Sequence, residues 1–231
     1  MSEKQTLIKL VDLSMSFDQK LLFKNLNLEI KQGDFLSIIG PNGTGKSTLI
    51  QLMMKELAPR SGQVIYTDNG FDRKKIGFVP QTRNINEDYP LNLTSFVSLR
   101  LYDNLIPWLT KKDRLKISTA LKKVRLQDKS DNLLANSSGG EQQRAYIAQA
   151  LVHDPKMIIL DEPTNGLDER SKKEVMEILK KLQVEDQVTI VLVTHDPESV
   201  IQNSTKILKL NGDGTFEVGD QSLLENNDVE F

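Results

Sequence analysis

The chain contains no cysteine. Disulfides and thiolate metal sites are therefore excluded, and a reducing compartment suits it. No run approaches the ~20 apolar residues that cross a bilayer. The opening, MSEKQTLIKLVDL, lacks the basic-then-apolar pattern of an export leader. A soluble protein is expected, with any membrane role running through a partner. An excess of positive charge is missing too. Lys and Arg number 30 against 32 Asp and Glu, a net charge of −2, so no global basic footprint argues for nucleic acid. Internal repeats and low-complexity tracts are likewise absent.

What is present fits an ordinary folded chain. The 231 residues are 38% hydrophobic and 27% charged, enough for one large domain, or a domain with a subdomain, around a sizeable core. LIKLVDLSMSF and LNLEI read as strands, with a turn at Lys31–Asp34. FLSIIG is a short buried strand ending in glycine, and a helix is predicted from about Gly45 to Leu57, stopped by Pro59 and Gly62. VIY and KIGFV read as further strands. From about Thr94 to Val152 the pattern is helical with polar faces. MIILD and VTIVLVTH then read as buried parallel-type strands around a helix at about Ser171–Leu182. KILKL-NGDG-TFEV signals a hairpin. The order predicts an α/β core interrupted by a helical insert.

Gly40-Pro41-Asn42-Gly43-Thr44-Gly45-Lys46-Ser47-Thr48 fits G-x-x-x-x-G-K-[ST] without mismatch. It lies between an apolar strand and a helix, where the motif's mechanics require it. Glycines let successive N–H groups turn inward on an anion, and the helix start adds ~0.5 of a positive charge. Lys46 suits the β- and γ-phosphates, and Ser47 suits Mg²⁺. A second signal is Asp161-Glu162 at the end of four apolar residues, where α/β proteins bind ligands. Asp161 is the candidate to hold Mg²⁺ through a water, and Glu162 the candidate to polarise an attacking water. A third is His195, at the end of the next apolar strand and just before Asp196-Pro197, a helix cap and first-turn pair. His153 reads as a helix-terminus residue. A fourth is Asn136-Ser-Ser-Gly-Gly-Glu-Gln-Gln-Arg144, a polar, glycine-rich helix start far from the phosphate loop.

Together these motifs resemble the ATP-binding subunit of an ABC transporter, over about Leu7 to Val218. GPNGTGKST resembles its Walker A motif and MIILDEP its Walker B motif with the catalytic Glu162. Gln81 resembles the Q-loop glutamine at Mg²⁺, Asn165–Asp168 the D-loop, and His195 the switch histidine. Phe17 falls where the family keeps an adenine-stacking aromatic. Ser137-Ser138-Gly139-Gly140-Glu141 resembles the LSGGQ signature, with Ser in place of Leu and Glu in place of Gln. The resemblance implies a P-loop NTPase core with an N-terminal antiparallel β-subdomain (1–84 and 153–231) and an α-helical subdomain (85–152). It implies ATP and Mg²⁺ as ligands. It also implies two copies packed head to tail, each signature closing on the γ-phosphate held by the other. Glu141, a carboxylate near a phosphate, is expected to turn away.

The implied partners are a second copy, membrane permease subunits and an extracellular substrate-binding protein, with no nucleic acid, at the cytoplasmic face of the cell membrane. Tyr89-Pro90-Leu91-Asn92-Leu93-Thr94, followed by an apolar valine, resembles a docking region of the zinc and manganese importers. The basic cluster Lys111, Lys112, Arg114, Lys116, Lys122, Lys123 and Arg125 suits either a solvated helix face or anionic lipid headgroups. Three alternatives stay open: another cargo or export, a non-transport ABC ATPase on ribosome or DNA, and a nucleotide-sensing module without turnover.

Overall fold

The computed structural model describes residues 4–18, 20–67, 71–81, 90–101 and 109–225. Among them are two sheets. The first joins β1 (Thr6–Phe17), β2 (Lys20–Lys31) and β4 (Ser61–Tyr66) in the antiparallel order β2-β1-β4. Alternating burial along β2 marks a sheet with one covered face.

The second sheet has the order β5-β6-β7-β3-β8-β9. Its members are β3 (Phe35–Ile39), β5 (Ile76–Val79), β6 (Met157–Asp161), β7 (Thr189–Val193), β8 (Lys206–Leu210) and β9 (Phe216–Gly219). All pairings are parallel except β8 with β9, the predicted hairpin. Strands β3, β6 and β7 are buried at every position, which is why their sequences run apolar without alternation.

Helices cover this sheet. They are α1 (Lys46–Met53), α2 (Leu93–Ser98), α3 (Lys111–Lys123), α4 (Gly139–Leu151), α5 (Glu169–Glu185), α6 (Pro197–Asn203) and α7 (Ser222–Glu225). One apolar cluster runs from α2, α3 and α4 through α5 to β6 and β7. A second joins the antiparallel sheet to β3 and α1.

The end of α1, the place of Gly62 and the bounds of α5 differ from the sequence reading. Helix α1 ends at Met53, not near Leu57. Lys55 takes a left-handed φ of 55°; Lys55 N–H donates to Leu52 O at 3.0 Å and Glu56 N–H to Gln51 O at 2.9 Å. That is a Schellman stop with lysine where glycine is usual. Gly62 lies inside β4 rather than ending a helix. A Cβ there would sit 2.3 Å from the Asp12 carbonyl oxygen, so glycine permits the close approach of β1. The predicted helix at Ser171–Leu182 extends to Glu169–Glu185. His153 follows α4, as predicted, and its Nε2 lies 2.8 Å from Arg100 O.

Candidate active site

Four neighbouring strands, β5, β6, β7 and β3, deliver their C-terminal ends to one edge of the sheet. Gln81 follows β5 after Pro80. Asp161 ends β6 and Glu162 follows it. His195 follows β7, and the Gly40–Lys46 loop follows β3. The parallel registers, such as Val79 opposite Leu160 and Asp161 opposite Val193, place these ends side by side. The sheet order therefore brings together four motifs separated by up to 155 residues (195 − 40) in the chain.

The phosphate loop closes on its lysine. Lys46 Nζ donates to Gly40 O at 2.6 Å and Pro41 O at 2.9 Å. Burial pulls the Lys46 ammonium pKa down, while Glu162 and Asp161 push it up. Gly40 has φ 139°, and a Cβ on it would meet Leu210 O at 2.2 Å; only glycine fits. Thr44 Oγ1 donates to Pro41 O at 3.0 Å and fixes the turn.

Ser47 Oγ donates to Asp161 Oδ2 at 2.9 Å. Burial raises the Asp161 pKa above the usual carboxylate value; the Ser47 bond opposes this, Glu162 adds to it and Lys46 opposes it. The exposed Ser47 hydroxyl and the buried Asp161 carboxylate make a hard oxygen donor set that opens to the cleft, and it fits Mg²⁺ better than a softer metal.

Glu162 is buried, with a left-handed φ of 48°. The non-glycine left-handed turn swings it away from the strand direction of Asp161. Gln81 Nε2 donates to Glu162 Oε2 at 2.6 Å, Asn165 Nδ2 reaches the same oxygen at 3.3 Å, and His195 Nδ1 stands 3.4 Å from Oε1. Gln81, expected at Mg²⁺, commits its amide nitrogen to Glu162, leaving the carbonyl oxygen as the atom able to ligate a cation. The sequence does not mark Asn165 for this contact. Its signal was only its place three residues beyond Glu162, in the same turn.

Lys46, Ser47, Gln81, Asp161 and Glu162 line a cleft of about 400 Å³ together with Phe17, Asn42, Gly43, Gly45 and Thr48, while His195 and Asn165 reach it only through their contacts with Glu162. Phe17 is 48% exposed at its rim, a flat apolar face open to a ring. Lys20 and Leu22 line the cleft as well; no sequence motif marks them. A larger groove of about 810 Å³ lies between α5 and α6 and contains no phosphate-loop residue.

None of Ser137, Ser138, Gly139, Gly140 and Glu141 lines the cleft. They form the start of α4. Ser138 is its N-cap and accepts from Glu141 N–H at 3.3 Å, while Glu141 Oε2 accepts from Ser138 N–H at 2.9 Å. Glu141 is thus turned back, as expected, and it also pairs with Lys129. Ser137 Oγ donates to Leu133 O at 3.1 Å. Gly140 packs under α5: a Cβ would meet Ser171 Oγ at 2.5 Å. That hydroxyl donates to Asp168 Oδ2 at 2.7 Å, and Asp168 caps α5. The signature start and the D-loop aspartate are therefore packed as one unit.

Of the docking region, Tyr89 lies outside the described residues. Asn92 caps α2 through Ser95 N–H at 2.8 Å, and Thr94 Oγ1 donates to Ser130 O at 3.0 Å. In the basic cluster, Lys123 pairs with Asp186 at 3.2 Å and Arg125 with Glu177 at 3.1 Å. No described helix is long and apolar enough to cross a membrane.

The sequence profile of the ABC transporter family matches residues 23–165. The zinc import ATP-binding protein ZnuC of Pasteurella multocida is 33% identical over 210 residues, covering 91% of this chain and 75% of the relative. The zinc uptake system ATP-binding protein ZurA of Listeria monocytogenes is 34% identical over 212 residues, 89% and 82% of the two chains. Among solved structures, the dimeric post-hydrolysis ATP-binding cassette MJ0796, bound to ADP and Pi, superposes with a TM-score of 0.74 at 32% identity, covering 93% of this chain and 98% of that one. The cbiO1 protein of Clostridium perfringens, part of the transporter complex cbiONQ, gives 0.83 at 28% identity, covering 96% and 91%. The chain belongs to the ABC transporter family and is one of its ATP-hydrolysing subunits.

Proposed function

We propose that the chain is the ATP-driven motor of a zinc importer, working as a dimer on membrane permease subunits at the cytoplasmic face, with an extracellular protein delivering the metal. The zinc assignment is supported by relatives named for zinc import or uptake in Pasteurella multocida and Listeria monocytogenes. The dimer is supported by the dimeric cassette it superposes on and by a signature that stands outside the chain's own cleft. The sequence division into a core (1–84, 153–231) and a helical subdomain (85–152) is kept as part of this reading.

Within the cleft, Phe17 stacks on adenine and the Gly40–Thr48 amides wrap the phosphates, with Lys46 released from its own loop carbonyls to the β- and γ-oxygens. Ser47, Asp161 through a water, and the Gln81 carbonyl would hold Mg²⁺, which would supply charge neutralisation on the phosphates. Three His, Asp or Glu side chains are nowhere clustered as a metal site among the described residues. One carboxylate and one hydroxyl suffice, since Mg²⁺ keeps waters and takes substrate oxygens. Glu162 orients the attacking water and accepts its proton. His195, beside Glu162, holds the γ-phosphate end and steadies that carboxylate. Ser138 and the Gly139 and Gly140 amides of the second copy complete the anion's shell, next to the partner copy's Asp168. ATP favours the closed dimer over ADP, and this difference supplies the mechanical bias.

The observation that carries the reading is the Glu162 carboxylate, held between Gln81, Asn165 and His195 one residue beyond the Ser47–Asp161 pair. The test is Glu162→Gln: it binds ATP, turns over slowly and accumulates as a dimer. Loss of high-affinity zinc accumulation in cells lacking the chain tests the cargo; unchanged accumulation removes it.

A further inference from the structure

The start of α4 carries a charge that an anion-facing loop should not tolerate. Helix starts favour anions because their N–H groups and dipole present ~0.5 of a positive charge. Glu141 places a full carboxylate in the first turn of α4, three residues from the Ser138 hydroxyl. Uncompensated, it would outweigh the helix field toward any incoming phosphate.

The structure shows what compensates it. Both carboxylate oxygens are engaged: Oε2 accepts from Ser138 N–H at 2.9 Å, and Oε1 pairs with Lys129 Nζ. Lys129 comes from the turn before the signature, 12 residues away in the chain, so the pair is not a helix-periodic accident. The Glu141 side chain is 15% exposed and that of Lys129 is 51%; the acid is tucked in while the cation sits outside it. The Lys129 contact is the largest cause holding the Glu141 carboxyl below the ordinary carboxylate range, so the charge is present at neutral pH and must be cancelled in place.

We propose that Lys129 is a positioning residue for the signature loop. It holds Glu141 back against Ser138 N–H and cancels its charge, keeping the start of α4 receptive to the phosphate of a second copy's nucleotide. This rests on the composite-site reading above. Its contribution is to the local field rather than to folding, because exposed ion pairs add little stability. It also accounts for the Gln-to-Glu departure in the signature: glutamine would make the same capping contact without a charge, and glutamate makes it with a lysine attached.

The test is ATP-driven dimerisation of the intact chain, followed by sedimentation in a Glu162→Gln background so that the closed form persists. Lys129→Gln should raise the ATP concentration for half-maximal dimer about threefold, as two loops each lose about threefold and two nucleotides enter each dimer. Glu141→Gln should abolish that dependence: with it, Lys129→Gln has no further effect. Rescue by an uncharged partner separates this role from a structural one, since a misfolded variant gains nothing from Glu141→Gln. A change under twofold on Lys129→Gln, or a loss that persists with Glu141→Gln, overturns the proposal while leaving the motor reading intact. Failure of the Glu162→Gln reference to dimerise with ATP at all removes both.

Discussion

The C-terminal edge of the parallel sheet and the start of α4 both set glycines at the beginning of a helix, and they differ in how much they complete by themselves. At the sheet edge, Lys46, Asp161 and Glu162 are buried, and every one has a partner within the chain. The sheet fixes their backbones, so Asp161 and Glu162 stand in place before any ligand arrives, while the Lys46 ammonium has still to leave its loop carbonyls. At the start of α4, Ser138 and Gly139 are exposed, and the hydrogen bonds there are spent on capping the helix and turning Glu141 back. The first region is a machine lacking one wall. The second is a wall with no machine behind it. On the proposed reading, the chain reaches its chemistry only when the second region of one copy faces the first region of another.

Breaking the first region should have the larger consequence. Glu162→Gln should lower ATP turnover by about 10²- to 10⁴-fold, the scale of losing a general base, while ATP binding persists; steady-state hydrolysis beside nucleotide titration checks it. Gly40→Ala should abolish nucleotide binding and cost the fold roughly 2–4 kcal/mol, because the new Cβ lands 2.2 Å from a backbone oxygen that cannot rotate away. Thermal unfolding with and without ATP measures both parts.

The second region should separate cleanly from the first. Gly140→Ala pushes on Ser171 Oγ at 2.5 Å, which can rotate, and on Ser171 Cβ at 2.8 Å, which moves only if α4 and α5 separate slightly. Nucleotide affinity of the isolated chain should be unchanged while turnover falls about tenfold, the cost of roughly 1.4 kcal/mol of lost transition-state stabilisation. The pH response sharpens the contrast. Burial raises the Asp161 pKa, so the ligand-free chain gains stability as pH falls through that titration and loses it as pH rises. Binding of MgATP runs the other way: it needs the carboxylate and should weaken on acidification sooner than an ordinary aspartate would dictate. Calorimetric titration across the acid range checks the sign. Ser137→Leu should have the smallest effect, a modest rise in turnover on the assembled complex with ATP binding unchanged. Its serine spends its hydroxyl on Leu133 O, and leucine adds packing at the interface.

The same contrast explains what the sequence discloses. The phosphate loop is legible because its chemistry is contiguous: strand, glycines, lysine and helix follow one another from Phe35 to Met53. The acids of β6 are legible because a polar pair after four buried residues needs a reason. The fold class follows from the alternation of buried strands and helices. Contacts that join distant segments are not readable from spacing. Nothing local pairs Gln81 with Glu162 or Lys129 with Glu141, and Lys20 enters the cleft only because β2 folds back beside the loop. The end of α1 is hidden for a different reason: Lys55 occupies a left-handed stop that normally advertises itself with glycine. Asp168, read by resemblance as part of the D-loop, also caps α5, a role visible only with Ser171 in place.

The central claim is that the cleft of one copy and the signature of another form a single site. Mixing two inactive variants tests it most directly. Lys46→Ala retains an intact signature, and Gly140→Asp retains an intact cleft. In an equal mixture half of the dimers pair one of each, and each such dimer rebuilds one complete site. The account predicts that the mixture recovers about a quarter of wild-type ATP turnover. A mixture as inactive as its separate components would contradict it.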